Sequence, residues 1–431
     1  MLRRHTFSAF LCILVLALSA AAQPELPTAE PKDVGLSAER LERIGTAVQK
    51  AIDEKRIAGV VTLVMRRGKI AWAKAQGMQD REAGKPMQLD TIFRLHSMTK
   101  PLTAVAAMIL YEEGHFLLDD PISKYLPEFK NMNVFVKPEK KGENYHTTPA
   151  KREITIRDLL RHTSGLTYPW NPDIGPIYNK ANIQCGVLPY DGTLAENIRN
   201  LAKMPLLFSP GEKWEYGLNM DVLGRLIEVV SGKPLDDFMR TRLFEPLGMK
   251  DAYFFPPQNK LDRLAAAYTY YPEKGLNVQT SQITDKGITY SADYPYRGAK
   301  KLFSGGSGLN STVFDYARFA QMMLDNGKFG DKRILSRKTV ELMTHDQLGD
   351  LAADATPDFG WGFGFSIDGI RKPLNELGSI GTFGWGGYIY TSFFIDPKEQ
   401  MIVIFLAQLR PHKGLNLEEL VGQLAYQAID D

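Results

Sequence analysis

The run GVVTLVMRRGKIAWAKAQ, residues 59–76, has a counterpart near the other end of the chain in TSFFIDPKEQMIVIFLAQ, residues 391–408. Each holds two stretches rich in β-branched and aromatic residues, separated by turn formers: Arg67 and Gly68 in the first, Asp396 and Pro397 in the second. Helical signals lie between and after them. Thr155 with Asp158 forms a capping box that opens TIRDLLRH, and Thr312 with Asp315 forms another that opens VFDYARFAQMML. DVLGRLIEVVSG, residues 221–232, carries apolar residues at 222, 223, 226, 227 and 230 and stops at Gly232, and GLNLEELVGQLAYQAI near the end is amphipathic. Strands, then helices, then strands predict an α+β chain. Its antiparallel sheet is assembled from both ends and flanked by helices, with a mainly helical domain inserted. The expected boundaries are 23–125 with 300–431 for the sheet domain and 126–299 for the helical one. Two sequential domains are the alternative, but no Pro/Gly/Ser linker divides the chain; KPEKKGENYHTTPAKRE, 137–153, reads as a long surface loop. Residues 268–301, rich in Tyr, Thr and Gly, carry no pattern.

The first 22 residues, MLRRHTFSAFLCILVLALSAAA, combine Arg3 and Arg4, an apolar stretch from Phe7 to Leu18 and small residues before Gln23. This is the pattern of a secretory signal peptide, and the apolar run is shorter than the roughly 20 residues a spanning helix needs. The expectation is a periplasmic or secreted protein with no integral membrane segment after cleavage. Arg3 and Arg4 account for the net charge of +2, so the remainder is neutral and neither nucleic acid nor an anionic membrane is an expected partner. Of the two cysteines, Cys12 falls in the signal and Cys185 is left alone, which excludes an internal disulfide and a CxxC or zinc site. Seven histidines without HExxH or paired spacing argue against a metal, and no GxGxxG pattern indicates a nucleotide, so no cofactor is expected.

Chemistry centres on FRLHSMTKPLTAVAAMIL, residues 93–110. Apolar residues at 102, 105, 106, 109 and 110 give a helical period that Gly114 ends, and Pro101 falls in or beside the first turn, where a missing amide costs little. Ser97 and Lys100 then share one helix face, so the amine can approach the hydroxyl. A serine becomes a nucleophile when a neighbouring base takes its proton. The same spacing also suits a plain helix cap followed by a solvated lysine.

Two further stretches bear on that choice. PGEKWEYGLNMDVLG, 210–224, puts Tyr216 in a glycine-containing turn before a helix, from which a phenol can enter a cleft. GTFGWGGYIYTSFFIDP, 381–397, puts Trp385, Gly386 and Gly387 at the start of a strand, where glycines admit close backbone approach and the Tyr388 amide can join that of Ser97 in binding an oxyanion. A core tyrosine and a β-bulge are the structural alternatives.

Taken in order, FRLHSMTKP, LLRHTSGL, PGEKWEYGLNMDVLGRLIEVVSG, SGGSGLNSTVFDYARFAQMML, GWGFGF and GTFGWGGYIYTSFFIDP resemble the serine β-lactamase and penicillin-binding-protein-like hydrolases, most of all the family VIII carboxylesterases with a class C β-lactamase fold. The resemblance spans roughly residues 35–430. It implies Ser97 as the acylated nucleophile, Lys100 as its base and Tyr216 as the proton shuttle, with WGG at 385–387 in place of the usual KTG and His162 as a structural brace. Trp385 replaces the lysine that helps hold a β-lactam carboxylate. The asparagine usually two residues after the tyrosine is Leu218 here, with Asn219 one place late. Both departures match the esterase branch, so the expected substrate is a small-molecule ester. β-Lactamase, D-alanyl-D-alanine carboxypeptidase or amidase, and transacylase are the alternatives within the fold, and a non-catalytic binding protein is the alternative outside it.

Overall fold

The computed structural model describes residues 25–138, 145–349, 351, 356–371, 373–374 and 377–431. The expected signal peptide, residues 1–22, lies outside the described residues. Helix α1 (Ala38–Asp53) leads into strands β1 (Gly59–Arg66), β2 (Lys69–Asp80) and the short β3 (Lys85–Pro86). Helices α2 (Thr99–Glu112), α3 (Ile156–Leu160), α4 (Asn219–Ser231) and α5 (Val313–Leu324) follow. The chain then returns to the sheet through β4 (Gly360–Trp361), β5 (Ser366–Ile367), β6 (Phe383–Gly387), β7 (Thr391–Asp396) and β8 (Met401–Leu406), and α6 (Leu417–Gln427) closes it. These eight strands form one antiparallel sheet in the order β4-β5-β6-β7-β8-β1-β2-β3, so the first strand of this sheet in chain order pairs with its last.

The sheet is covered on both faces. Val61, Leu63 and Met65 of β1, with Ile402, Ile404 and Leu406 of β8, face a core shared with α2 and α5. Val60 and Val64, with Met401, Val403 and Phe405, face a second core under α1 and α6. Double burial explains why these strands read as unbroken apolar runs instead of alternating ones; each such aliphatic side chain removed from water stabilises the fold by about 1.5–3 kcal/mol. Between β1 and β2, Arg67 and Gly68 both take left-handed backbone conformations, with φ of 51° and 75°, the two-residue turn that suits the twist of a hairpin. Arg66, almost fully buried, binds Glu399 at 3.0 Å and Asp431 at 2.8 Å and so ties this hairpin to the last residue of the chain.

Helix α2 is buried on every side from Thr99 to Leu110, as befits the central helix of the molecule. Pro101 is its third residue, within the turn whose amides need no partner. Helix α4 ends at Gly232, in the left-handed conformation at φ 69°, but begins at Asn219, two residues earlier than its apolar pattern suggests.

One of the two expected capping boxes is borne out, and other expectations are corrected. The Thr155–Asp158 capping box forms in both directions. The Thr312–Asp315 box is only half formed, because the Asp315 carboxylate accepts the Asp251 amide at 2.6 Å instead of the cap's own. Part of the supposed surface loop is strand, His146–Pro149 pairing with Asn133–Val136. The patternless stretch after Tyr268 contains strands Tyr268–Tyr271, Gly275–Val278, Ile283–Asp285 and Ile288–Tyr290. Among the described residues no helix is long and apolar enough to cross a membrane.

Candidate active site

Ser97 sits in a single 3₁₀ turn, His96–Met98, that runs straight into α2. His96 enters that turn with φ 45°. The helix is preceded by Met98 and has no side-chain cap, so Ser97 caps nothing. Its Oγ instead receives a hydrogen bond from Lys100 Nζ, one helical turn on, at 3.2 Å. Lys100 is fully buried, and its other recorded partner is the Gly306 carbonyl at 2.7 Å. Neither partner is a carboxylate, so the amine is not locked into an ion pair.

The same face of α2 is stitched to residues 305–309 twice more: Thr99 Oγ1 accepts the Leu309 amide at 3.0 Å and Thr103 Oγ1 donates to the Gly305 carbonyl at 2.8 Å. A Cβ at Gly305 would run into the Met220 carbonyl, and one at Gly306 into the Asp221 carboxylate, so the glycines let this segment thread between α2 and α4. The Gly306 carbonyl, and Asp221 with its Ser304 hydrogen bond, were not anticipated from sequence. The glycine density of SGGSG was the signal for such a close approach. Burial pushes the Asp221 carboxyl upward, opposed by the Ser304 hydroxyl and by Lys100.

Tyr216 lies in the loop before α4 with its ring face 4.5 Å from Lys100 Nζ. Its hydroxyl accepts a hydrogen bond from Trp385 Nε1 at 3.0 Å. Behind it is His162, fully buried at φ 59°, whose Nδ1 contacts Asn219 Nδ2 at 2.8 Å and accepts the Gly217 amide at 3.4 Å. His162 therefore braces the tyrosine loop, as the resemblance implied. Asn219 is spent in that framework, its Oδ1 accepting from Ser164, and does not face the cleft. Burial drives His162 well below the ordinary histidine range, with Lys100 adding to the effect. His96 falls to about 3, from burial first and then Arg94 and Lys100. Neither ring carries charge at neutral pH. The Cys185 thiol, pushed up to about 12 by burial, stays protonated and is no competing nucleophile.

Gly217 is the tightest point of this loop, since a Cβ there would meet the Leu166 carbonyl and lie 2.6 Å from Thr167 Cα. Gly217→Ala should destabilise the fold by about 1–3 kcal/mol, the usual cost of overpacking, and should lower esterase activity by displacing Tyr216. Thermal melting beside a turnover assay checks this; a variant with wild-type melting and turnover would show that the loop yields freely.

Trp385, Gly386 and Gly387 close β6, at its end and not, as expected, at the start of a strand. They pair in regular register with Phe393, Ser392 and Thr391, so there is no bulge. A Cβ at Gly387 would strike the Leu95 carbonyl, which is how the strand end comes against the turn bearing Ser97. The Tyr388 side chain turns away: its hydroxyl donates to the Asp285 carbonyl at 2.9 Å and the Arg410 guanidinium lies 4.1 Å over its ring. Among the described residues, no backbone hydrogen bond outside the helices and strands uses the Ser97 or the Tyr388 amide as donor. Aromatic rings wall the site, with Trp361 edge-on to Trp385 at 4.7 Å and Tyr168 stacked on Trp170 at 4.1 Å.

Residues 44–425 match the family described as Beta-lactamase. Esterase EstB of Burkholderia gladioli is 33% identical over 389 residues, covering 88% of this chain and 92% of the relative. Among solved structures, EstCE1, described as a hydrolase with promiscuous acyltransferase activity, superposes with a TM-score of 0.77 at 31% identity, covering 91% of this chain and 99% of its own. Simvastatin synthase (LovD) from Aspergillus terreus shares the fold, with a TM-score of 0.75 at 24% identity over 91% of this chain and 98% of its own. A match over most of the chain, around a buried lysine set against a serine hydroxyl, makes this protein a member of the beta-lactamase family and a serine hydrolase.

Proposed function

We propose that the protein hydrolyses carboxylic esters of small molecules through an acyl-serine intermediate, and that it does so in the periplasm or outside the cell. The observation that carries the chemistry is the 3.2 Å contact between Lys100 Nζ and Ser97 Oγ, with the Tyr216 ring against the same amine. Similarity to Esterase EstB and to EstCE1 supports the ester substrate. Export rests on the N-terminal sequence pattern, and the N-terminal residue of the protein recovered from cells tests it: a start near Gln23 is expected, and an intact Met1 would overturn it.

Lys100 takes the hydroxyl proton as Ser97 Oγ bonds to the ester carbonyl carbon. The carbonyl electron pair moves to oxygen, where the Ser97 and Tyr388 amides receive it. As the intermediate collapses, the bond to the leaving oxygen breaks and Tyr216 supplies that oxygen with a proton, which the Lys100 ammonium then restores. Water repeats the sequence on the acyl-serine.

Substrate choice follows from what the cleft lacks. Leu218 is fully buried, Asn219 is committed to His162, and position 385 carries an indole in place of a cation. A β-lactam carboxylate therefore loses a charge-assisted contact worth about 1.5–3 kcal/mol, which corresponds to roughly 10- to 100-fold in kcat/KM. Assays of short-chain p-nitrophenyl esters beside nitrocefin should place nitrocefin at least that far below the best ester. Trp385→Lys should improve nitrocefin turnover more than ester turnover. A wild-type enzyme that prefers nitrocefin to every ester would sink the esterase reading and leave the acyl-serine route standing.

A further inference from the structure

In sequence Trp385 stands in a position where the resemblance leads one to expect a lysine. The structure gives its indole a polar task. Nε1 donates to the Tyr216 hydroxyl at 3.0 Å, across 169 residues of chain. The indole is held for this by its neighbours. Trp361 meets it edge-on at 4.7 Å, and Trp361 is itself fully buried with its Nε1 directed at the Leu160 carbonyl. Phe359 lies 5.8 Å away on the same wall, and the backbone of Trp385 is fixed opposite Phe393 in the sheet.

An indole N–H donates and cannot accept. The polarity of the contact is therefore settled by chemistry alone: the phenol is the acceptor, and its own proton cannot point at Trp385. That proton is left to the other directions open to the hydroxyl, on a ring whose face lies 4.5 Å from Lys100 Nζ. When Tyr216 gives its proton away, the oxygen gains negative charge and the indole hydrogen bond becomes a charge-assisted one, which is stronger.

Resting on the esterase reading above, we infer that Trp385 is a positioning residue for proton delivery, aiming the Tyr216 hydroxyl proton at the leaving oxygen of the ester and steadying the phenolate that remains. In the step concerned, the bond between carbonyl carbon and alkoxy oxygen breaks with its electron pair staying on that oxygen. The Tyr216 proton moves to the same oxygen, and Lys100 returns to Tyr216 the proton it took from Ser97. An alkoxide needs that proton in order to leave, whereas p-nitrophenolate departs without it.

The experiment compares ethyl butyrate with p-nitrophenyl butyrate, which form the same acyl-enzyme, using kcat/KM as the report on acylation. Trp385→Phe should lower kcat/KM for the ethyl ester by about 10- to 100-fold, a part of the roughly 10²- to 10⁴-fold that full general-acid assistance supplies, and for the nitrophenyl ester by less than about threefold. Trp385→His, which keeps a ring N–H, should recover part of the ethyl-ester loss. In a Tyr216→Phe background, Trp385→Phe should cost nothing more, since both act through one proton. Trp385→Leu also lacks a donor and reads the same ratio should the Phe variant fail to fold. Equal losses on the two esters, or losses that add to those of Tyr216→Phe, would return Trp385 to the role of an apolar wall. A wild type inactive on both esters would overturn the esterase reading and this role with it.

Discussion

Ser97→Ala should abolish ester hydrolysis, with kcat falling by at least about 10⁴-fold, as expected when a nucleophile acting in concert with its base is removed. The acyl adduct seen by intact mass spectrometry after brief exposure to a p-nitrophenyl ester should vanish with it. The fold should not suffer. Ser97 caps no helix, so the loss of about 1 kcal/mol that follows removal of a cap does not arise. The hydrogen bond it surrenders leaves Lys100 still bonded to the Gly306 carbonyl. Retention of wild-type turnover would remove Ser97 from the mechanism, and loss of turnover together with a collapsed melting temperature would make the serine a structural residue.

Tyr216→Phe should lower kcat by roughly 10²- to 10⁴-fold, the usual range for lost general acid–base assistance. The ring keeps its packing against His162, at 4.9 Å between centroids, and against Lys100, so the melting temperature should hold. Only the oxygen that receives the Trp385 indole N–H is gone. Steady-state turnover of p-nitrophenyl and alkyl esters beside thermal melting measures both halves of this expectation. Activity within about twofold of wild type, far outside that range, would make Tyr216 a core residue.

Features with a local physical origin were legible in the sequence. The β1–β2 hairpin announces itself because its strands are apolar and its turn residues tolerate positive φ; α2 does so through its apolar period, and α3 through a reciprocal cap. The proximity of Ser97 and Lys100 belongs here too, since one helical turn brings them together. What escaped depends on partners distant in the chain. Nothing near Gly306 says that its carbonyl faces Lys100, 206 residues away. The Thr312 box failed as a box because Asp251, which competes for Asp315, comes from another part of the fold. The short strands between Tyr268 and Tyr290 have few residues each and mixed burial, so no alternation survives to mark them. The polar role of Trp385 escaped, because only the fold shows what its single polar atom touches.

The pairing of β1 with β8 sets the order in which the molecule can be completed. β1 is made before its neighbour across the sheet, which follows only after the whole chain between Arg66 and Met401, and the buried Arg66 must wait longer still for Asp431. Until then the β1–β2 hairpin presents two apolar faces and one unpaired edge. Contacts this distant in sequence make for slow closure, because the entropy of a long loop must be overcome before the pairing rewards it. Until that closure the sheet is unfinished and the apolar faces of the hairpin stay uncovered. A chain shortened by even its last helix would lose part of the cover over one face of the sheet, so truncation at the C-terminus should be tolerated far less well than its distance in sequence from Ser97 suggests.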